Sequence, residues 1–391
     1  MQVKHAFTSG LADGPDATLV RPSNWNADHT LVGWDALTAD KTVTVGSSGC
    51  DYTTLEDAFN AYKAVWIPHG VTLTFSLAAE IFTLTQAPIV QNPTFDNAKI
   101  VGATPISLSI TSVASSSGSA GAWSYVLNVA STVGLAVGQL VCVKAVTGGS
   151  NPNRLLGCHR ITAIGSGQIT VSVLTKSTSQ ASGAVTATAT VLTTVLYTTT
   201  NSCILLWVQG RLGGGRPSPS SAPIKGVDNI GFSTTGTTGV IPILVTQGYL
   251  GVCGGTVGIY GPFYIGMQVS DGGQAIVTGS ACNLYVSGGV YAGLYAGNSG
   301  TLLAWGVDSS GSVVVTGALN GAAVDGRSHL NIGGNAAGQG AILSGNTTNA
   351  YAWAMSLIRR YNNKVSEAVT TENSPTANAT GNNLNSFIES S

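Results

Sequence analysis

Charge is what this chain has least of. Asp, Glu, Lys and Arg make up 8% of its 391 residues and the formal net charge is −1, where roughly 25% charged residues is ordinary for a globular protein. With no basic stripe, electrostatic nucleic-acid binding is not expected. Long apolar runs are missing too: no stretch approaches about twenty uninterrupted apolar residues, so membrane insertion is not expected either. The first residues, MQVKHAFTSG, lack the apolar centre of a secretory signal, which argues against Sec export. Cysteine is sparse, at 50, 142, 158, 203, 253 and 282, and never in a CxxC pair, so neither a zinc knuckle nor a redox motif is read here. The even count leaves disulfides open, but free, mostly buried thiols acting as small hydrophobes are the expectation. No metal and no cofactor are expected. Disorder is excluded, because 43% of residues are hydrophobic and disorder needs low hydrophobicity with high net charge.

What is present is a rhythm. Between Val240 and Gly345 come short runs rich in β-branched and aromatic residues, closed by Gly, Ser or Asn: QAIVTG from Gln274, NLYVSGG from Asn283, TLLAWG from Thr301, SVVVTG from Ser312, HLNIGG from His329 and GAILSG from Gly340. Each run sets apolar beside small or polar residues, as a half-buried strand requires. Quasi-regular spacing and Gly-rich corners favour a stacked solenoid over a sandwich or simple barrel. The reading is all-β: a parallel β-helix whose coils bury their inward side chains against the coils above and below.

The organisation read from this is a segment 1–40, the first coils with a helix over 41–104, an insertion over 105–200, the main stack over 201–349 and a closing segment 350–391. Residues 1–40 carry turn signals at Asp13-Gly14-Pro15 and Arg21-Pro22-Ser23 and are too short to build a core, so they gain order by docking. After Lys41 an acidic start, Glu56 and Asp57, leads a helix burying Leu55, Ala58, Phe59 and Tyr62; the acids suit a helix N-terminus better than catalysis. The insertion, with VLNVASTVGLAVGQLVCVKAV, NRLLGCHRITAIG and GQITVSVLTKS, alternates over longer strands with hairpin turns and fits a small antiparallel barrel. Cys158-His159 mimics a nucleophile and base, but adjacent strand residues face opposite sides. GRLGGGR lacks the ending of a phosphate-binding loop and is read as a link between coils.

The stretch VKHAFTSGLADGPDATLVRPSNWNADHTL resembles the N-terminal segment of tail fibre and tailspike proteins of tailed bacteriophages, on Lys4-His5, Phe7, Ala12-Asp13-Gly14, the run Thr18 to Pro22, Trp25-Asn26 and Asp28-His29. The helix-led first coil is similar to that of pectate-lyase-like right-handed parallel β-helices, tailspikes included, where a helix covers the open end and blocks edge pairing. The resemblance implies a homotrimer made in the host cytoplasm and incorporated in the virion. It would dock on a tail or baseplate protein and recognise a host surface glycan or envelope protein.

Docking would use Lys4, His5, Phe7, Arg21, Trp25, Asp28 and His29, with the aromatics as anchors and the charges as hydrogen-bonding partners. The competing readings are solvated turn residues or a chance metal pair. Outward aromatics, among Tyr249, Tyr260, Tyr264, Tyr285, Tyr291, Tyr295 and Trp305, would stack on sugar rings, core packing being the alternative for about half of them. The C-terminal stripe Ala354, Ile358, Tyr361, Val365 is read as a heptad-like helix closing a trimer. A depolymerase needs paired carboxylates. Among Asp228, Asp271, Asp308 and Asp325 the best pair is Asp308 with Asp325, about one coil apart, yet every one of these sits in a turn context. A non-enzymatic fibre is therefore preferred.

Overall fold

In the computed structural model the described residues are 2–3, 29–30, 35–200, 203–216, 223–236, 239–252, 255–279, 282–306, 312–334, 341–344, 346, 348–352, 357–361, 372–373 and 387–390. They form an all-β chain dominated by a parallel β-solenoid. Three long sheets make its faces, every neighbouring pair of strands running parallel. The first face contains seven strands, from Ile81–Thr83 through Val195–Thr198, Gly255–Gly261 and Cys282–Gly288 to Ala341–Ser344. The second has eight, including Ile241–Thr246, Ile265–Ser270 and Ala292–Ala296, and the third seven, from Arg211–Leu212 to Phe387–Ser390.

Alternation along each strand places like residues in register from coil to coil, which is what makes the core. On the first face Phe82, Leu196, Phe232, Ile259, Val286, Val315 and Leu343 stack in one inward column, all buried. A matching column on the third face is Leu212, Leu250, Ala275, Leu302 and Leu330. Burial of such aliphatic side chains is worth roughly 1.5–3 kcal/mol each before ordering entropy is subtracted.

A helix, Leu55–Tyr62, lies against the first coils. Thr54 caps it: Asp57 N donates to Thr54 Oγ1 (3.1 Å), and Thr54 Oγ1 donates to Asp57 Oδ2 (2.7 Å), satisfying donors that a helix start leaves without partners. Its buried face brings Phe59 edge-on to Phe75, ring centroids 5.0 Å apart.

Between two coils the chain leaves the solenoid and forms a closed antiparallel barrel of six strands, in the order Ile106–Ser119, Ala122–Val129, Gln168–Val173, Gly157–Gly165, Leu140–Val143, Ala187–Leu192. Closure leaves no free edge. Thr194 stitches the neck: its hydroxyl donates to Ala78 O (2.7 Å) and accepts from Ala103 N (2.9 Å).

The barrel folds back onto the first face. Leu140, Cys142, Leu156, Cys158 and Leu192 pack on Tyr260, Tyr285 and Val314, and Cys158 N donates to Ser287 Oγ (2.7 Å). Glycine permits the close approach. A Cβ on Gly317, where φ is +72°, would fall 1.4 Å from Leu174 O. Gly167 has a similar φ, +65°, in a hairpin turn where a Cβ would meet nothing nearer than 4.0 Å. Gly317→Ala should therefore cost more than the about 1 kcal/mol expected of Gly167→Ala for conformation alone. Denaturant midpoints of the two variants check this; equal losses would contradict the seam.

The C-terminal helix is not formed at the residues described. Leu357–Tyr361 is a strand, paired in parallel with His329–Gly334 on one side and Phe387–Ser390 on the other. Ile358 thereby takes the register position that continues the Leu302–Leu330 column. The four-and-three spacing that mimicked a helix stripe yields to coil pairing, in which Ile358 and Tyr361 occupy opposite parities of one strand. Ala354 and Val365 lie outside the described residues.

Candidate functional site

The corner between the first and second faces collects exposed aromatic surface. Because Ile265 pairs with Ala292, the preceding residues Tyr264 and Tyr291 occupy equivalent positions one coil apart, and Tyr291 N donates to Tyr264 O (3.0 Å). Their rings stack with centroids 5.4 Å apart and planes 17° apart. Tyr295, on the adjoining strand, meets Tyr291 edge-on at 5.9 Å. Ile241, Ile265, Ala292 and Ala323 form the apolar floor beneath them.

Tyr264 is 41% exposed, and Val290 and Leu319, at the same corner on the next two coils, are 48% and 42% exposed. The result is an apolar ridge with hydrogen-bonding groups at its edge. Tyr295 OH donates to Asp325 Oδ2 at 2.6 Å. Burial, then this bond, holds the Tyr295 hydroxyl well above the usual tyrosine range, so it is a fixed donor that positions the carboxylate. Asn320 Nδ2 donates to Tyr291 O (3.0 Å) and secures the backbone under the stack.

The other expected sugar-stacking residues divide. Tyr260 and Tyr285 are outward on their strands, but the barrel covers them, leaving 5% and 2% exposure. Burial pushes the Tyr260 hydroxyl up to about 12 and Tyr285 further still. These two are seam residues and not a sugar platform; Tyr285 reaches only the floor of a cleft of about 630 Å³ between barrel and solenoid, with Lys144, Thr188 and Thr190 on its walls. Trp305 is set by its backbone between Thr278 and Gly333 on the third face; its side chain lies outside the described residues.

The remaining candidates fall as follows. Asp308, Lys4, His5, Phe7, Arg21, Trp25 and Asp28 lie outside the described residues. His29 belongs to the strand His29–Thr30, which pairs antiparallel with Gln2–Val3. Cys158 and His159 do face opposite ways: the thiol sits in the seam, 3.4 Å from Cys142 Sγ, while His159 Nε2 contacts Leu155 O at 2.8 Å. Cys50, Cys142, Cys158 and Cys203 are free thiols. Among the described residues no three His, Cys, Asp or Glu side chains converge on a metal-sized site.

Tyr249 was among the outward aromatics expected from sequence, but its pairing with Arg211 was missed. Arg211 lies over the Tyr249 ring, its guanidinium carbon 5.3 Å from the centroid, because coil register pairs two residues far apart in the chain. The coil length, readable from the repeat of apolar runs, was the signal that would have matched them.

No protein-family model and no curated protein matches the chain. Among solved structures it is similar to the Gp54 tailspike of the Acinetobacter baumannii bacteriophage AP22, in complex with A. baumannii capsular saccharide. That similarity has 11% identity and a TM-score of 0.22, and covers 98% of this chain and 72% of that one. The chain's own residues carry the functional reading that follows.

Proposed function

We propose that this chain is a tail fibre or tailspike of a bacteriophage virion that recognises a host surface glycan through the Tyr264–Tyr291–Tyr295 corner. The single observation that supports it is the stacked pair of exposed Tyr264 and half-buried Tyr291 on a solenoid whose neighbouring face is already occupied by the barrel. Aromatic faces accept the apolar C–H side of a sugar ring, and Asp325 at the edge is a hydroxyl acceptor held in place by Tyr295. The N-terminal segment would dock on a tail or baseplate protein, and the homotrimer follows from the same resemblance. Asp325, engaged by a tyrosine hydroxyl, suits ligand positioning better than acid catalysis, which favours attachment over cleavage.

The test is binding of labelled protein to a panel of bacterial strains, before and after periodate destruction of surface sugars. Periodate-sensitive binding is expected, with Tyr264→Ala and Tyr291→Ala each lowering affinity about tenfold or more, the effect of truncating an interface anchor. Binding that survives both substitutions would overturn this site. New reducing ends released from the polysaccharide would turn the reading toward a depolymerase.

A further inference from the structure

A second concavity lies at another corner, where the second face turns into the third. We infer that it is a subsite for a carboxylate-bearing sugar, an inference that rests on the glycan-recognition reading and specifies one ligand class for it. The cleft, about 460 Å³, is lined by Pro93, Gln209, Arg211, Gln247, Tyr249 and Gln274. Among the described residues its only cationic lining residue is Arg211, and no carboxylate of those residues pairs with it; the ion pair between described residues is Lys225 with Asp228.

Arg211 is exposed and lies over the Tyr249 ring; a guanidinium offers a planar fork of N–H donors that matches a carboxylate bidentately. The ring is itself fixed from behind. Gly214, with φ +89°, lets it lie so close that a Cβ there would fall 2.3 Å from Tyr249 Cε1. Gln209 is held by Gln91, whose Nε2 donates to Gln209 Oε1 (3.1 Å), while the exposed amides of Gln247 and Gln274 line the opening. These amides supply neutral donors and acceptors for sugar hydroxyls.

The nearest acid along the chain is turned away. Asp271 Oδ1 accepts from Asn298 Nδ2 (3.3 Å) and Oδ2 from Ser270 Oγ (3.2 Å). Asn298 belongs to the following coil, on the side opposite Arg211. The site thus presents one cation resting over a ring, with amides beside it, to an anionic saccharide.

The experiment uses the full chain and a glucuronate-containing heparosan tetrasaccharide, alongside the same tetrasaccharide with its carboxylates reduced to alcohols, both titrated by saturation-transfer NMR. The carboxylated form is expected to bind at least fivefold more tightly. Arg211→Gln should abolish that difference, Arg211→Lys should restore part of it, and Tyr264→Ala should leave it intact. Both Arg211 variants should keep the parent thermal midpoint, since Arg211 is exposed. Equal affinity for the two forms, no binding of either, or a preference that survives Arg211→Gln would overturn the inference. If the preference is absent while periodate-sensitive, Tyr264-dependent cell binding persists, only this subsite falls. If the preference is present while Tyr264 is irrelevant to cell binding, only the tyrosine corner falls.

Discussion

Replacing Phe75 with alanine should remove about 3–5 kcal/mol of stability, the usual cost of emptying a fully buried aromatic site. Phe75 stands at the junction of cap and stack. Val43 and Ile100 lie above and below it in register. Phe59 and Tyr62 of the helix meet it edge-on at 5.0 and 5.9 Å, and Phe95 tilts against it at 5.8 Å. No small movement refills that volume, because the helix and two coils converge on it. Since each coil contacts mainly its neighbours, the damage should be local. Hydrogen exchange should accelerate over residues 41–101 while amides of the barrel keep their protection. A loss under about 1 kcal/mol, or acceleration confined to the barrel, would show that the helix does not close the stack.

Acid should weaken the barrel through one side chain. His159 is fully buried, and burial depresses its pKa from 6.5 to about 4, the bond to the Leu155 carbonyl opposing only in part. The folded state therefore keeps His159 neutral where the unfolded chain would protonate it. Its contribution is complete above about pH 6.5 and is lost as pH falls through that value toward about 4. The gap corresponds to about 3 kcal/mol. Denaturant unfolding at pH 7, 5.5 and 4 should show this loss in the parent chain, and His159→Gln, which cannot titrate, should flatten the profile between pH 6.5 and 4. Parallel profiles would mean that His159 is solvated or already charged in the folded barrel.

The solenoid was legible because its signal is local. QAIVTG, TLLAWG, SVVVTG and HLNIGG coincide with the strands Gln274–Gly279, Thr301–Gly306, Ser312–Thr316 and His329–Gly334, since alternation and glycine corners dictate both the strand and its ends. The antiparallel insertion was legible for the same reason, through longer alternation.

What covers an outward residue is not a local property. Tyr260, Tyr264 and Tyr285 look alike in sequence, yet Cys142, Cys158 and Leu192 settle over the first and third and leave the second exposed. The pairing of Arg211 with Tyr249 likewise depends on how many residues one coil consumes. At the C-terminal end, the three-residue spacing of Ile358 and Tyr361 reads as one face of a helix, and the edge offered by His329–Gly334 decides in favour of a strand, where the two take opposite parities.

The most direct measurement is a structure of the intact protein with an oligosaccharide from a strain it binds. A sugar ring lying flat against Tyr264 and Tyr291, with a hydroxyl on Asp325, is the predicted result. Saccharide seated only in the cleft between barrel and solenoid, or an unoccupied tyrosine corner at saturating ligand, would contradict the account.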